Sequence, residues 1–210
     1  MSSIKLKVCG MRDPQNILEV ASLQPDYMGF IFFDKSPRDV GNDFNIPVEF
    51  PAATKKAGVF VNAETKHIIK QVQRLKIDLV QLHGKETVAQ CDALRSVGIE
   101  VVKVFSIDDD FDFRVTTPYK KFVNYFLFDT KGKYYGGNAQ VFNWRVLDTY
   151  DQEIPFFLSG GLNPDNIVNV APLKKMNLHA IDVNSGVEKS PAMKSVEKIK
   201  ELQSNIKLYL

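Results

Sequence analysis

Short runs of apolar and β-branched residues recur along the chain, each followed by a stretch with helical spacing or by a polar connection. The runs predict eight strands: 4–9, 27–32, 57–61, 79–83, 100–105, 125–129, 155–159 and 180–184. Helices are predicted between most of them. Asp13-Pro14 reads as N-cap and first helical residue of a helix over 15–23. Ile68, Ile69, Val72 and Leu75 share one face of a helix over 64–75, and Val88, Cys91, Leu94 and Val97 one face of a helix over 86–97. Asn163-Pro164 repeats the start signal, and Val196, Ile199, Leu202 and Ile206 mark the last helix. The connection after the second strand holds Pro37, Pro47 and Pro51, and the one after the fifth reads DDDFDFRVTTPYKKF. Neither is a good helix.

Strand–helix alternation of this kind means parallel strands with crossover helices. Eight units point to a single-domain α/β protein spanning 1–210, a closed (β/α)8 TIM barrel. An open doubly wound sheet is the alternative, but the first strand runs into CGMRDP, without the glycine pattern of a dinucleotide turn.

Alternation along the strands sorts the polar residues by face. Lys5, Lys7 and Cys9 share a face of the first strand; Leu79, Gln81 and His83 of the fourth; Val101, Lys103 and Phe105 of the fifth; Leu127 and Asp129 of the sixth; Ala180, Asp182 and Asn184 of the eighth. These faces are expected to point into the barrel. A buried lysine needs a partner. In a closed barrel the first and eighth strands are neighbours, so Lys7 and Asp182 are expected to pair.

Composition narrows the range of partners. The 27 Lys and Arg against 25 Asp and Glu leave a net charge of +2 with both signs interspersed. That argues against nucleic-acid and membrane partners. Two cysteines suit a reducing compartment, and the longest strongly apolar run, 27–33, is too short to span a bilayer. A soluble cytoplasmic protein is expected.

Barrel active sites gather at the carboxyl ends of the strands, where Cys9, His83, Asp129 and Asn184 fall. Cys9 could be a base or a nucleophile, although a packed small hydrophobe is what most cysteines are. Asp129 ends an aromatic strand, where a partly desolvated carboxyl suits a general acid, although a turn aspartate is the plain alternative. Gly136-Gly137, Gly160-Gly161 and Gly186 follow the sixth, seventh and eighth strands, and the last two loops suit a phosphate. Arg38 could clamp a carboxylate or be a solvated loop residue. Cys91 and Trp144 read as packing, and His67 and His179 receive no role.

Taken together, KVCGM, MGFIFFDKSPR, AGVFVN, VQLHG, LFDT with YGG, FLSGGLNPDN and DVNSGVE resemble phosphoribosylanthranilate isomerases, in that family's order from residue 4 to about 190. The resemblance implies an Amadori rearrangement of a phosphorylated small molecule in tryptophan biosynthesis, without cofactor or metal, by a monomer or small homo-oligomer. It implies Asp129 as general acid, Cys9 as general base and Arg38 on the anthranilate carboxylate. Gly160, Gly161, Ser185 and Gly186 are implied at the phosphate, and His83 in the substrate site.

The chain departs from the family pattern at Ala139, Asn143, Asn184, Ala192 and Ser195. Two further readings compete. One is a decayed barrel kept for binding. The other is a related phosphosugar enzyme, either an aldolase using Lys103 as its Schiff-base lysine or a metal-dependent epimerase.

Overall fold

The structure, a computed structural model, describes residues 4–130 and 144–210. The expectations for Gly136-Gly137, Ala139 and Asn143 therefore lie outside the described residues.

Eight parallel strands close into a barrel in sequence order: β1 Lys5–Val8, β2 Tyr27–Phe32, β3 Lys55–Phe60, β4 Leu79–Leu82, β5 Glu100–Ile107, β6 Tyr125–Thr130, β7 Phe156–Ser159 and β8 Leu178–Val183. The closing pair sets Lys7 opposite Asp182 and Val8 opposite Val183. The α-helices are α1 Pro14–Ala21, α2 Thr65–Leu75, α3 Val88–Ser96 and α4 Val196–Tyr209. A short hairpin, β9 Glu188–Ser190 with β10 Met193–Lys194, lies between β8 and α4.

Local chemistry explains the helix starts. The Asp13 carboxylate accepts the Asn16 N–H at 2.8 Å with Pro14 beginning the helix, and Thr87 caps α3 through the Gln90 N–H. Three of the four remaining crossovers, Phe113–Phe122, Trp144–Thr149 and Ile167–Lys175, are 3-10 helices. Pro118 and Pro172 sit inside two of them, where a missing N–H breaks an α-helical ladder. The start signal at Asn163 caps a turn instead. Its side chain accepts from the N–H groups of Asp165 and Asn166, and the 3-10 helix begins only at Ile167. Among the described residues no helix fills the connection from β2 to β3.

Apolar side chains form two layers. Outside the barrel, Leu6, Val8, Phe30, Leu82, Val101, Phe126, Phe156 and Ile181 pack under the helices. Inside it, Tyr27, Ala57, Leu79, Val102, Val104, Leu127, Phe157 and Ala180 form a plug. This places Val102 and Val104 of β5 inward and corrects the expected inward face of Val101, Lys103 and Phe105. A charged residue costs as much on either buried face, so the polarity of Lys103 could not tell which way it points. Lys103 instead meets Glu86, 2.9 Å away, just ahead of α3, which removes it as a barrel-mouth Schiff-base lysine.

Candidate active site

The carboxyl ends of β1, β4, β6, β7 and β8 surround one mouth. Lys7 and Asp182 meet inside the barrel below it as expected, 2.8 Å apart. Burial alone would push the Lys7 ammonium toward neutrality. The Asp182 carboxylate and neighbouring Cys9 outweigh it and hold the Lys7 pKa above the ordinary lysine range. Cys9, two residues on, is buried with Ile31 and Val59. Burial pushes its thiol pKa up, against the pull of Lys7 and of Lys194.

Asp129 stands across the mouth at the end of β6. His83, just past β4, brings Nε2 to 3.5 Å from Asp129 Oδ2, with side chains 36% and 33% exposed. The other ring nitrogen, Nδ1, lies 3.1 Å from the Gln81 amide nitrogen. Gln81 is buried inside the barrel, and its Oε1 has no hydrogen-bond partner among the described residues.

Arg38 comes from the loop after β2. Asp39 pins that loop by accepting the Phe33 N–H at 2.9 Å, and the Val40 N–H bonds the Ile31 carbonyl. The Arg38 guanidinium grips Glu188 by Nε at 2.8 Å and Nη2 at 2.6 Å. Glu188 also accepts from Lys194 Nζ at 2.6 Å and from the Ala192 N–H at 3.0 Å. Burial alone would raise the Glu188 pKa, but the bonds from Arg38 and Lys194 hold it below the usual carboxylate range. One edge of the Arg38 fork is thus anchored on Glu188.

Glu188 and Lys194 were not singled out from the sequence. A buried Lys194 reads in sequence like any surface lysine, and the only signal was the family's SGVE motif with the lysine six residues on. Ala192, where the family pattern has glycine, takes φ +65° within this hairpin. Asn184, where the pattern has serine, accepts from Lys194 Nζ at 2.7 Å.

Gly160 and Gly161 follow β7 with positive φ, and Ser185 and Gly186 open the turn after β8. A Cβ at Gly186 would run into the Leu162 carbonyl oxygen. Glycine therefore lets the loops after β7 and β8 touch. Among the described residues no cluster of three or more His, Cys, Asp and Glu side chains is disposed to hold a metal ion.

The geometry joins residues from most of the chain, and the comparisons match on the same scale. Residues 6–205 fit the sequence profile of N-(5'-phosphoribosyl)anthranilate (PRA) isomerase. The isomerase of that name from Parabacteroides distasonis is 40% identical over 207 residues, covering 96% of this chain and 92% of that protein. The crystal structure of the Thermotoga maritima enzyme superposes with a TM-score of 0.83 at 31% identity, covering 97% of this chain and 98% of that one. A crystal structure of a phosphoribosyl anthranilate isomerase bound to reduced 1-(o-carboxyphenylamino)-1-deoxyribulose 5-phosphate matches with the same TM-score at 30% identity and the same coverage. The chain belongs to the phosphoribosylanthranilate isomerase family, the (β/α)8-barrel isomerases of tryptophan biosynthesis.

Proposed function

We infer that Cys9 and Asp129 divide the proton transfers by which N-(5-phosphoribosyl)anthranilate becomes 1-(2-carboxyphenylamino)-1-deoxyribulose 5-phosphate. The observation that carries this reading is the closed barrel itself, which turns the ends of β1 and β6 to one mouth. Asp129 donates a proton to the furanose ring oxygen. The C1–O bond breaks and the anilino nitrogen lone pair forms an iminium at C1. The iminium acidifies the C2 proton, which the Cys9 thiolate removes to give an enolamine. Proton return to C1 and loss of the C2 hydroxyl proton leave the aminoketose.

Arg38 holds the anthranilate carboxylate with the Nη1 edge that Glu188 leaves open. The touching loops of Gly160, Gly161, Ser185 and Gly186 take the phosphate on backbone N–H groups. His83 orients the Asp129 carboxyl. The protein acts in the cytoplasm as a monomer or small homo-oligomer, without nucleic acid. Among the described residues no helix is long and apolar enough to cross a membrane.

The test follows the loss of fluorescence of freshly made phosphoribosylanthranilate. Cys9→Ser and Asp129→Asn should each fold and lose on the order of 10²–10⁴-fold in turnover. Turnover close to the parent's in either purified variant would remove that residue from the mechanism.

A further inference from the structure

Lys103 and Glu86 form a buried ion pair on the outer side of the barrel, 2.9 Å apart, with side chains 3% and 0% exposed. Their remaining side-chain hydrogen bonds, among the described residues, go to the backbone on either side of His83 and to the Asn62 N–H after β3. Lys103 Nζ donates to the carbonyl oxygens of Leu82 at 3.3 Å and Gly84 at 2.7 Å, the residues before and after His83. Glu86 accepts the Gly84 N–H at 2.9 and 3.0 Å and the Asn62 N–H at 2.8 Å. The Asn62 side chain in turn accepts the Lys85 N–H at 2.7 Å. Gly84 is tied through both its N–H and its carbonyl oxygen, and a Cβ there would run into Asn62 Oδ1 and Glu86 Oε1.

A buried ion pair gains little over apolar side chains of the same shape, so stability alone does not account for this one. Apolar side chains could not take up the four backbone groups that the pair binds. The backbone it binds carries a single functional side chain, His83. From inside the barrel the Gln81 amide nitrogen approaches His83 Nδ1. A donor at that position leaves the ring proton on Nε2, the nitrogen that faces Asp129.

We propose that Lys103 and Glu86 are positioning residues of the isomerase. The pair locks the peptides on both sides of His83 and, with Gln81, presents the imidazole Nε2–H to one oxygen of the Asp129 carboxyl, leaving the other oxygen to carry the proton. This rests on Asp129 as the proton donor. Displacing the ring lets the Asp129 carboxyl turn from the ring oxygen, while the phosphate and carboxylate grips stay where they are. The cost falls on kcat rather than on KM.

The experiment compares Glu86→Gln/Lys103→Met with the parent. The double variant removes both charges together and leaves no buried ion stranded. Thermal unfolding, kcat, KM and the imidazole 15N resonances are measured. With three histidines in the chain, His83 is assigned by the signals missing in His83→Gln. The expected result is a folded protein with kcat lowered by up to about 10²-fold, KM within about threefold, and displaced His83 resonances. Gln81→Met should keep the fold and shift the His83 nitrogens toward a mixture of tautomers.

A folded double variant with parental kcat, or with unmoved His83 resonances, overturns the proposal. Should the double variant not fold, the isosteric Glu86→Gln is read in the same way. Loss of fold in both makes the pair purely structural and also overturns it. Parental turnover in Asp129→Asn would instead remove the acid assignment, while the resonances still report whether the pair holds the ring.

Discussion

The Lys7 ammonium and the Asp182 carboxylate, 175 residues apart in sequence, lie 2.8 Å apart inside the closed barrel. Their strands are the first and last, so the contact exists only because the sheet closes. Cys9 stands on the same face as Lys7, and the pair forms the charged floor of the site.

Lys7→Met leaves the Asp182 carboxylate buried without its cation. The expected loss of unfolding free energy is about 3–5 kcal/mol. Lys7→Met with Asp182→Asn should recover part of it, because neither charge remains. Denaturant titrations of the parent and three variants test this. Additive losses would mean that the two side chains do not act as a pair.

Burial holds the Cys9 thiol above its ordinary pKa, against the pull of Lys7 and Lys194. A thiolate alkylates and a thiol does not, so the rate at which iodoacetamide modifies Cys9 in the free enzyme follows its ionisation without involving Asp129. That rate should keep rising with pH beyond the ordinary thiol value of about 8.5. A plateau already reached at pH 7 would show that Lys7 and Lys194 outweigh burial.

Arg38→Ala should raise KM and leave kcat little changed, because a carboxylate grip is made in ground and transition states alike. The loss in kcat/KM should be about 10–150-fold, matching a charge-assisted bond worth roughly 1.5–3 kcal/mol. Arg38→Lys should recover little, since an ammonium cannot hold Glu188 by two parallel bonds and offer a third donor to a ligand. A collapsed kcat at constant KM would place Arg38 in the proton-transfer chemistry.

Ser195 stands where the family pattern has aspartate, and its hydroxyl oxygen accepts the Lys198 N–H at 3.2 Å to cap α4. The same hydroxyl donates to Glu197 Oε2 at 2.7 Å. Ser195→Ala should cost about 1 kcal/mol in urea unfolding, whereas Ser195→Thr, which keeps a hydroxyl for both bonds, should lose less. Parental stability in Ser195→Ala would show that the cap contributes nothing.

At the opposite end of the barrel, the Tyr27 hydroxyl lies 2.8 Å from His179 Nε2. Burial first, then the nearby Lys5 and Lys55, push the His179 pKa down to about 4. The unfolded chain takes up this proton near pH 6.5 and the native protein only near 4. The contribution is thus fully present above pH 6.5 and is lost as pH falls toward 4. For a half-buried ring it amounts to on the order of 1–3 kcal/mol. His179→Gln should flatten that part of the stability profile between pH 7 and 4. An unchanged slope in the variant would assign the acid loss to other groups.

Much of this architecture is local. The apolar runs of β2 and β6 and the N-cap at Asp13 need only near neighbours, and each is found where the pattern puts it. Lys7 and Asp182 were legible too, because alternation names their faces and closure makes their strands adjacent. The order of the family motifs marked the mouth, from Cys9 through His83 and Asp129 to the loop at Ser185.

Tertiary structure decided the rest. Whether Lys103 points into the barrel or away from it depends on which neighbour offers a carboxylate, and Glu86 does so from the loop before α3. Arg38 and Glu188 are 150 residues apart, on a loop and a short hairpin whose paths no periodicity encodes. After β7 the start signal at Asn163-Pro164 leads into a 3-10 helix that contains Pro172, a choice made by backbone hydrogen bonding and packing together. A sequence carries the identity of each charge and the face of each regular strand. Which buried charges meet is settled when the chain closes on itself, because an ion in an apolar interior persists only beside its partner.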